Sequence, residues 1–511
     1  MEIITCQEPL RPALPCVYGP VEYREQRALF ERIDKILGNS ELEREFVALA
    51  MRDRGVDPAR LSGKRLTRFT RFSLLAFRSN LARHILGLDH RDFCARLADS
   101  PLLQWFLKIG EIDGVKVFAK STSDRFAHWI GESSLRVIND KFTALLASSG
   151  VDEPYVSFGL AAPVCFEELF CDSTCLKAGI HFPVDWVLLR DATRTLMKAT
   201  VLIRDAGLRK RMPQDPLEFL SDMNTLCMKM GAKRRAVDGR KHRKKVLREM
   251  KALAKRVGRH ARSHLEVLNA RWHESELTAG QVRVISERIQ GVLDKLPAAI
   301  TQAHERIIGG RQVPNDKKIL SLYDEEVQVM VRGKSGAEVE FGNKLWLGET
   351  REGLIADYQL CRGNPSDSKL VEPAIRRLVD EQNLPVGSVW GDRGLFSEAN
   401  EKMLESRNIH SGLCPRDIHV LTDRLQNQEG MREGLKRRAG IEARISIITN
   451  VFMDRPARAK GFVHREMMVG WAVLSHNLWV VARMAEAEQQ RRSQPNEKTG
   501  REPGRPKSRA A

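Results

Sequence analysis

Three extended runs follow one another between residues 325 and 362: EVQVMVRG, AEVEFGNKLWLGE and LIADYQLCRG, punctuated by Gly333, Gly336, Gly348 and Gly353. This stretch constrains the fold more than any other. β-branched and aromatic residues alternating with polar ones, with glycine at the turns, read as adjacent strands of one sheet. A sheet must have its apolar faces covered and its edges paired or shielded, and the flanking sequence supplies the cover. SDSKLVEPAIRRLVDEQ and SEANEKMLESR read as helices, and LPVGSVWGDRG and IHSGLCP as two further strands. Upstream, the apolar run Leu169-Phe170-Cys171 reads as a strand that ends at Asp172 and enters a loop. Residues 151–486 are therefore expected to form a mixed α/β sheet with helices packed on it.

The rest of the 511 residues reads as helix and is strongly basic. Residues 1–20, with four prolines, form a loose lead-in. Residues 21–150 read as a helical domain. Leu29, Ile33 and Leu37 recur at spacing four, Phe69, Phe72, Leu75 and Leu81 make a second stripe, and Arg60–Arg83 holds seven Lys/Arg and no acid. Several short helices with a basic face suit a helix-turn-helix-like DNA-binding module. A second helical stretch covers about 186–310, and within it Lys233–Arg262 carries fourteen Lys/Arg against two acids, Asp238 and Glu249. That is twelve units of a chain charge of +18. Val246, Met250, Leu253 and Val257 recur there at spacings of four, three and four, which predicts an amphipathic helix and not a featureless tail. Residues 487–511 form a basic, disordered tail.

Charge on this scale points to a polyanionic partner, nucleic acid before anionic membrane. The beginning of the chain has neither the positive region nor the apolar core of an export signal. The 16 uncharged residues between Glu466 and Arg483 are too few and too polar to span a bilayer and read as a buried helix. Nine cysteines, an odd number spread along the chain, fit reduced thiols in a cytoplasm. Cys171 and Cys175 near His181 resemble half a zinc site, but no second pair follows at ligand spacing. Gly333-Lys334-Ser335 is not a phosphate-binding loop, because the glycine that such a loop needs five residues earlier is Gln328.

Three acids carry the chemistry. Asp172 and Asp392 lie at the ends of two apolar strands, and Glu442 lies on a later helix, KRRAGIEARISIITNVF, beside the apolar stripe Ile441, Ile445, Ile448 and Phe452. Converging carboxylates make a hard, oxygen-rich site suited to Mg²⁺ or Mn²⁺. Two such ions can activate an attacking oxygen on one side of a phosphodiester and stabilise the leaving oxygen on the other. Arg438, one turn before Glu442, is placed to orient it or to meet a DNA phosphate. Arg393 beside Asp392, Lys334 and Lys344 near the sheet, and Arg240, Lys241, Arg243, Lys244, Lys245 and Arg248 in the basic segment are further candidate DNA contacts.

CDSTCLKAGIHFPVDW resembles the first-aspartate motif of bacterial insertion-sequence transposases of the DDE type. SVWGDRGLFSEAN resembles their second-aspartate motif, and RRAGIEARISII the third, where Arg-x3-Glu supplies the last ligand. The helical front, LARHILGLDHRDFCARLADSPLLQWFL with KSTSDRF, and the closing WAVLSHNLWVVARM are similar to segments of the same enzymes. The likeness covers most of residues 60–485. It implies a ribonuclease H-like core with a large helical insertion between the first and second aspartates, preceded by an all-α DNA-binding domain. It implies two Mg²⁺ or Mn²⁺ ions held by Asp172, Asp392 and Glu442, and cleavage and strand transfer on double-stranded DNA at element ends and target. A homodimer or larger assembly on DNA, in a bacterial cytoplasm at the nucleoid, would follow. The chain departs from the pattern at Leu435 and Thr449, where some of these enzymes have Tyr and Lys; either this branch lacks them or another basic residue, Arg444 or Lys460, substitutes. The rival readings are a DNA-binding regulator without catalysis, a nuclease that cuts without joining, and an inactive transposase copy.

Overall fold

The computed structural model describes residues 11, 13–14, 17–111, 114–148, 153–180, 184–232, 238–334, 337–453 and 458–493. Helices α1 (Val21–Asn39), α2 (Leu42–Asp53), α3 (Gly63–Ile85), α4 (His90–Asp99) and α5 (Pro101–Phe106) lead to a short ribbon, β1 (Gly110–Glu111) and β2 (Gly114–Val115). Then come α6 (Lys120–Ala127), α7 (Glu132–Ala147) and the single turn α8 (Pro154–Ser157). Strand β3 (Glu168–Lys177) is followed by four helices, α9 (Asp185–Asp205), α10 (Pro216–Ala232), α11 (Gly239–Arg271) and α12 (Ala279–Ala303). The sheet resumes with β4 (Gln328–Lys334), β5 (Ala337–Glu349) and β6 (Ile355–Leu360), then α13 (Ser368–Ile375), β7 (Ser388–Gly391), α14 (Glu398–Ser406) and β8 (His410–Leu413). Helices α15 (Ile418–Asn427), α16 (Met431–Arg438), α17 (Gly440–Ile447) and α18 (Phe462–Ser493) close the chain.

β3 sits in the middle of the sheet. β5 pairs antiparallel along one side of it and β7 parallel along the other, with β8 parallel beyond β7. The outer side of β5 takes β4 along its first half and β6 along its second, both antiparallel. The strand that was expected to end at Asp172 instead continues to Lys177, because Asp172 pairs with Leu347 and the ladder runs on to Lys177 opposite Gly342. The polar Asp-Ser-Thr stretch stays extended because β5 satisfies its backbone groups, a partner too distant in sequence to be inferred locally.

One face of the sheet is covered by the helical front and α18. Phe30, Phe46, Phe77 and Phe106 from the front share a continuous apolar core with Trp346, Val389 and Leu413 of the sheet and Trp471 of α18. The boundary expected near residue 150 therefore does not separate two cores. The stripe expected on α3 is also turned: Ala76, Phe77, Asn80, Leu81 and His84 are buried, while Phe72 is 37% exposed. The uncharged stretch of α18 is buried from Met467 to Leu478, and no helix among the described residues is long and apolar enough to cross a membrane. The four inserted helices have a core of their own, built from Leu196, Met197, Phe219, Met250, Val257 and Ile289 among others. Val246, Met250, Leu253 and Val257 all point into it.

Candidate active site

The register of two neighbouring strands brings the aspartates together. Phe170 of β3 pairs with Trp390 of β7, and their rings stack with centroids 6.3 Å apart. Two residues further on stand Asp172, still within β3, and Asp392, the first residue past β7, close enough for its charge to act on the Asp172 carboxyl. There β7 ends. Asp392 turns into the loop, and its Oδ1 accepts the N–H of Gly394 at 2.9 Å.

Helices α16 and α17 are laid against these strands by a close approach. A Cβ on Gly434 of α16 would stand 2.1 Å from the Trp390 ring, and one on Gly412 of β8 would stand 2.2 Å from it. Only glycine on both sides admits the indole. With Met431 and Phe170, Trp390 forms a small apolar cluster under α16, against which Leu435 packs. A buried carboxylate then fastens both helices. Glu349, 1% exposed at the end of β5, accepts Arg437 Nη1 of α16 and Arg444 Nε of α17, each at 2.9 Å. The helix expected to run unbroken through this segment is instead interrupted at Ala439, between the two arginines. The guanidinium of Arg437 passes 2.8 Å from where a Cβ on Gly440 would be.

This staple puts Arg438 and Glu442 above Asp172. Arg438 Nη1 lies 3.7 Å from Asp172 Oδ2, and Glu442 is exposed on the outer side of α17. Burial and the negative charges of Asp392 and Glu442 push the Asp172 carboxyl up to about 6, against the opposing pull of the Ser173 N–H and Arg438. The three acids thus share one electrostatic field. Among the described residues no three His, Cys, Asp or Glu side chains are gathered as a ready metal-binding group. The donor set is nevertheless of the kind a hard divalent cation takes: oxygen only, with burial first and the neighbouring carboxylates after it holding back ionisation of Asp172. Arg438 is the cation that meets Asp172 here.

One acid was hidden in the sequence. Asp367 occupies the residue before α13, where an aspartate reads as an ordinary helix cap, yet its side chain makes no capping bond. Asp367 Oδ1 accepts Ser173 Oγ at 2.8 Å and Lys344 Nζ at 2.7 Å. A Cβ on Gly394 would meet Asp392 Oδ1 at 3.1 Å and Asp367 Oδ2 at 3.2 Å, so this carboxylate borders the site from the far side of the Asp-Arg-Gly turn. Its only sequence signal is an aspartate just before a helix.

The remaining candidates fall in several places. Lys344 is tied to Asp367 and to the Pro365 carbonyl, with its side chain 12% exposed. Arg393 is exposed beside Asp392. The side chain of Lys334 lies outside the described residues, as does His181 of the zinc half-site. Cys171 and Cys175 are both buried on β3, and burial pushes the Cys171 thiol well up. Arg444 does not take over the position of the missing Lys: it points inward, to Glu349 and to His476 Nε2 at 3.0 Å. Thr449 is buried, its hydroxyl donating to the Ile445 carbonyl, and Lys460 is exposed. In α11, Arg240, Lys241, Lys245 and Arg248 are exposed, and Arg243 and Lys244 half-buried. Comparison with known proteins finds no matching family model, no matching curated protein and no matching solved structure.

Proposed function

We propose that the chain is a DDE transposase, cutting double-stranded DNA at element ends and joining the freed 3′-hydroxyl to target DNA at Asp172, Asp392 and Glu442. The observation that carries this reading is the pairing of Phe170 with Trp390, which sets Asp172 on β3 beside Asp392 just past the end of the parallel β7, with Glu442 close enough to raise the same carboxyl. The strand order supports a ribonuclease H-like core: β6-β5-β3-β7-β8, with only β5 running against its neighbours on both sides.

When bound, Mg²⁺ or Mn²⁺ would activate the attacking oxygen and stabilise the leaving one. The chain's own residues do the rest. The stacked Phe170 and Trp390 give the aspartates a rigid floor, and Glu349 fixes the angle at which α17 offers Glu442. Asp172 must lose its proton to act as a ligand, so the site closes more readily above pH 6. Arg438 pairs with Asp172 in its ionised form, and a divalent cation taking that place would leave the guanidinium free to meet a phosphate oxygen.

The test is incubation of the full chain with the DNA that flanks its gene and Mg²⁺, scoring cleavage and joining separately. Asp172→Asn, Asp392→Asn and Glu442→Gln are each expected to lose both reactions by a thousandfold or more and to keep DNA binding. Mg²⁺-dependent cleavage by the Glu442→Gln protein would remove that residue from the site. The Arg438–Asp172 contact favours one rival, a DNA-binding regulator, and binding without cleavage by the unaltered protein would establish it.

A further inference from the structure

Helix α11 carries a line of cations that form no ion pair among the described residues, although Glu249 and Glu266 lie on the same helix. Lys241, Lys245, Arg248, Lys255, Arg259 and Arg262 recur at helical spacings of three and four, with Ala252 filling the single gap, and all are exposed. At 1.5 Å per residue the line is about 32 Å long. No ion pair among the described residues involves any of the six, although Arg283 on the adjacent α12 has Glu287 beside it. The field they create is felt by their neighbours. Lys251 is held down by burial and then by Lys255 and Arg248, and His260 by burial and then by Arg259 and Arg256. Like charges three or four apart destabilise a helix by about 0.2–0.5 kcal/mol a pair, a strain that a bound polyanion relieves.

The opposite side of α11 is committed to the insert core, with Val246, Met250, Leu253, Val257 and Leu268 buried. The helix therefore cannot sink into a groove; it presents one cationic edge. Towards its C-terminal half that edge borders a cleft of about 830 Å³ between α11 and α12, rimmed by Lys255, Arg256, Arg259 and Arg262 and floored by Leu293 and Leu296. Base edges are read by side chains that enter a groove, Arg or Lys on guanine and Asn or Gln on adenine; this edge is held outside any groove by its buried face and contains neither Asn nor Gln from Lys241 to Arg262.

We infer that this edge of α11 is a sequence-independent seat for the phosphates of duplex DNA, covering about one helical turn, 34–36 Å. The inference rests on the transposase reading for its DNA and deepens it. It assigns the insert to the DNA whose sequence does not matter, the target, and leaves end recognition to other surfaces.

The experiment measures binding of the full chain to a random-sequence 30-base-pair duplex in EDTA across 50–300 mM salt. Each phosphate contact contributes about 0.9 to the slope of log affinity against log salt. The six-fold variant K241Q/K245Q/R248Q/K255Q/R259Q/R262Q is expected to flatten that slope by about 5. The two halves, K241Q/K245Q/R248Q and K255Q/R259Q/R262Q, should each flatten it by about 2–3. Because all six side chains are exposed, helix content should be unchanged and the melting temperature should not fall, which separates lost contact from lost fold. An unchanged slope overturns the inference, as does a variant that loses binding to phosphatidylserine vesicles as steeply as to DNA. The readout needs no metal and no cleavage. A failure here beside intact Asp172-dependent cleavage therefore removes only the seat, whereas normal duplex binding by a protein that never cleaves removes only the catalytic reading.

Discussion

Arg78 in α3 and Arg259 in α11 both belong to helices dense in positive charge, yet they are used in opposite ways. Arg78 is 1% exposed, accepted by Asp34 and Glu43 at 2.5 Å each and by the Phe106 carbonyl. Arg83 is 8% exposed and held against His84. Of the seven cations expected to form a DNA-facing surface in the front, these two are structural rivets, and only Arg60, Lys64, Arg65, Arg68 and Arg71 are exposed. In α11 the cations stay outside and the apolar stripe alone builds the core. A count of charges therefore says little until burial separates those that hold the fold from those that face a partner.

That contrast can be broken at several points. The largest effect is expected from Arg78→Ala, which leaves Asp34 with Arg11 alone and Glu43 with Lys108 alone beside the emptied buried site; removing one partner of a buried pair costs about 3–5 kcal/mol. Arg259→Ala should move stability by no more than about 0.5 kcal/mol, and chemical unfolding followed by tryptophan fluorescence compares the two. Equal effects would erase the distinction. Next comes Gly434→Ala, where the added methyl must enter the Trp390 ring. Overpacking of this kind costs about 1–3 kcal/mol, and the displaced α16 should carry Arg438 and Glu442 away from Asp172, so that Arg438→Gln and Glu442→Gln added to this variant no longer move the Asp172 titration followed by NMR.

Asp172 itself gives a pH-dependent test. Its folded carboxyl titrates near 6 against an ordinary 3.8, so the native state holds the proton more tightly than the unfolded chain. Its contribution to stability is full below about pH 4 and lost as pH rises through 6. Asp172→Asn should be near neutral at pH 4 and stabilising at pH 8, by at most about 3 kcal/mol. Glu442→Gln removes one source of repulsion and should lower the midpoint, whereas Arg438→Gln should raise it. The smallest effect is expected on the exposed line: Lys255→Gln should stabilise the chain by a few tenths of a kcal/mol at low salt, and the gain should vanish near 1 M salt, where surface charges are screened.

Local regularities were legible in the sequence. The 3.6-residue stripe of α11 and the period-two runs of β4, β5 and β6 need only near neighbours to be recognised, and the order of Asp172, Asp392 and Glu442 is plain in the primary structure. What depended on distant partners was not. Asp172 looked like the end of a strand because the residues that keep it extended, Trp346 and Leu347, lie about 175 positions away. Arg444 looked available to stand in for the motif lysine because nothing nearby announces Glu349. Nothing local marks Asp367 beyond its place before a helix, and of the expected α3 stripe Phe72 alone is left exposed, because the packing of α6 and α18 against the helix decides which side is covered.

The insert also bears on how the sheet is assembled in time. Leu176 and Asn343 are paired neighbours, yet the chain between them holds the four inserted helices. Closing so long a loop as random coil would make the central pairing slow to nucleate, since such loop entropy must be met before the contact forms. The insert has its own apolar core and mostly local helix–helix contacts, so it can collapse first and shorten the effective loop to its folded ends. On this view Met250→Ala, far from the sheet, should slow formation of the β3–β5 pairing as well as loosen the insert, and stopped-flow refolding would register the buried helices of the insert as a pacemaker for the strands around Asp172.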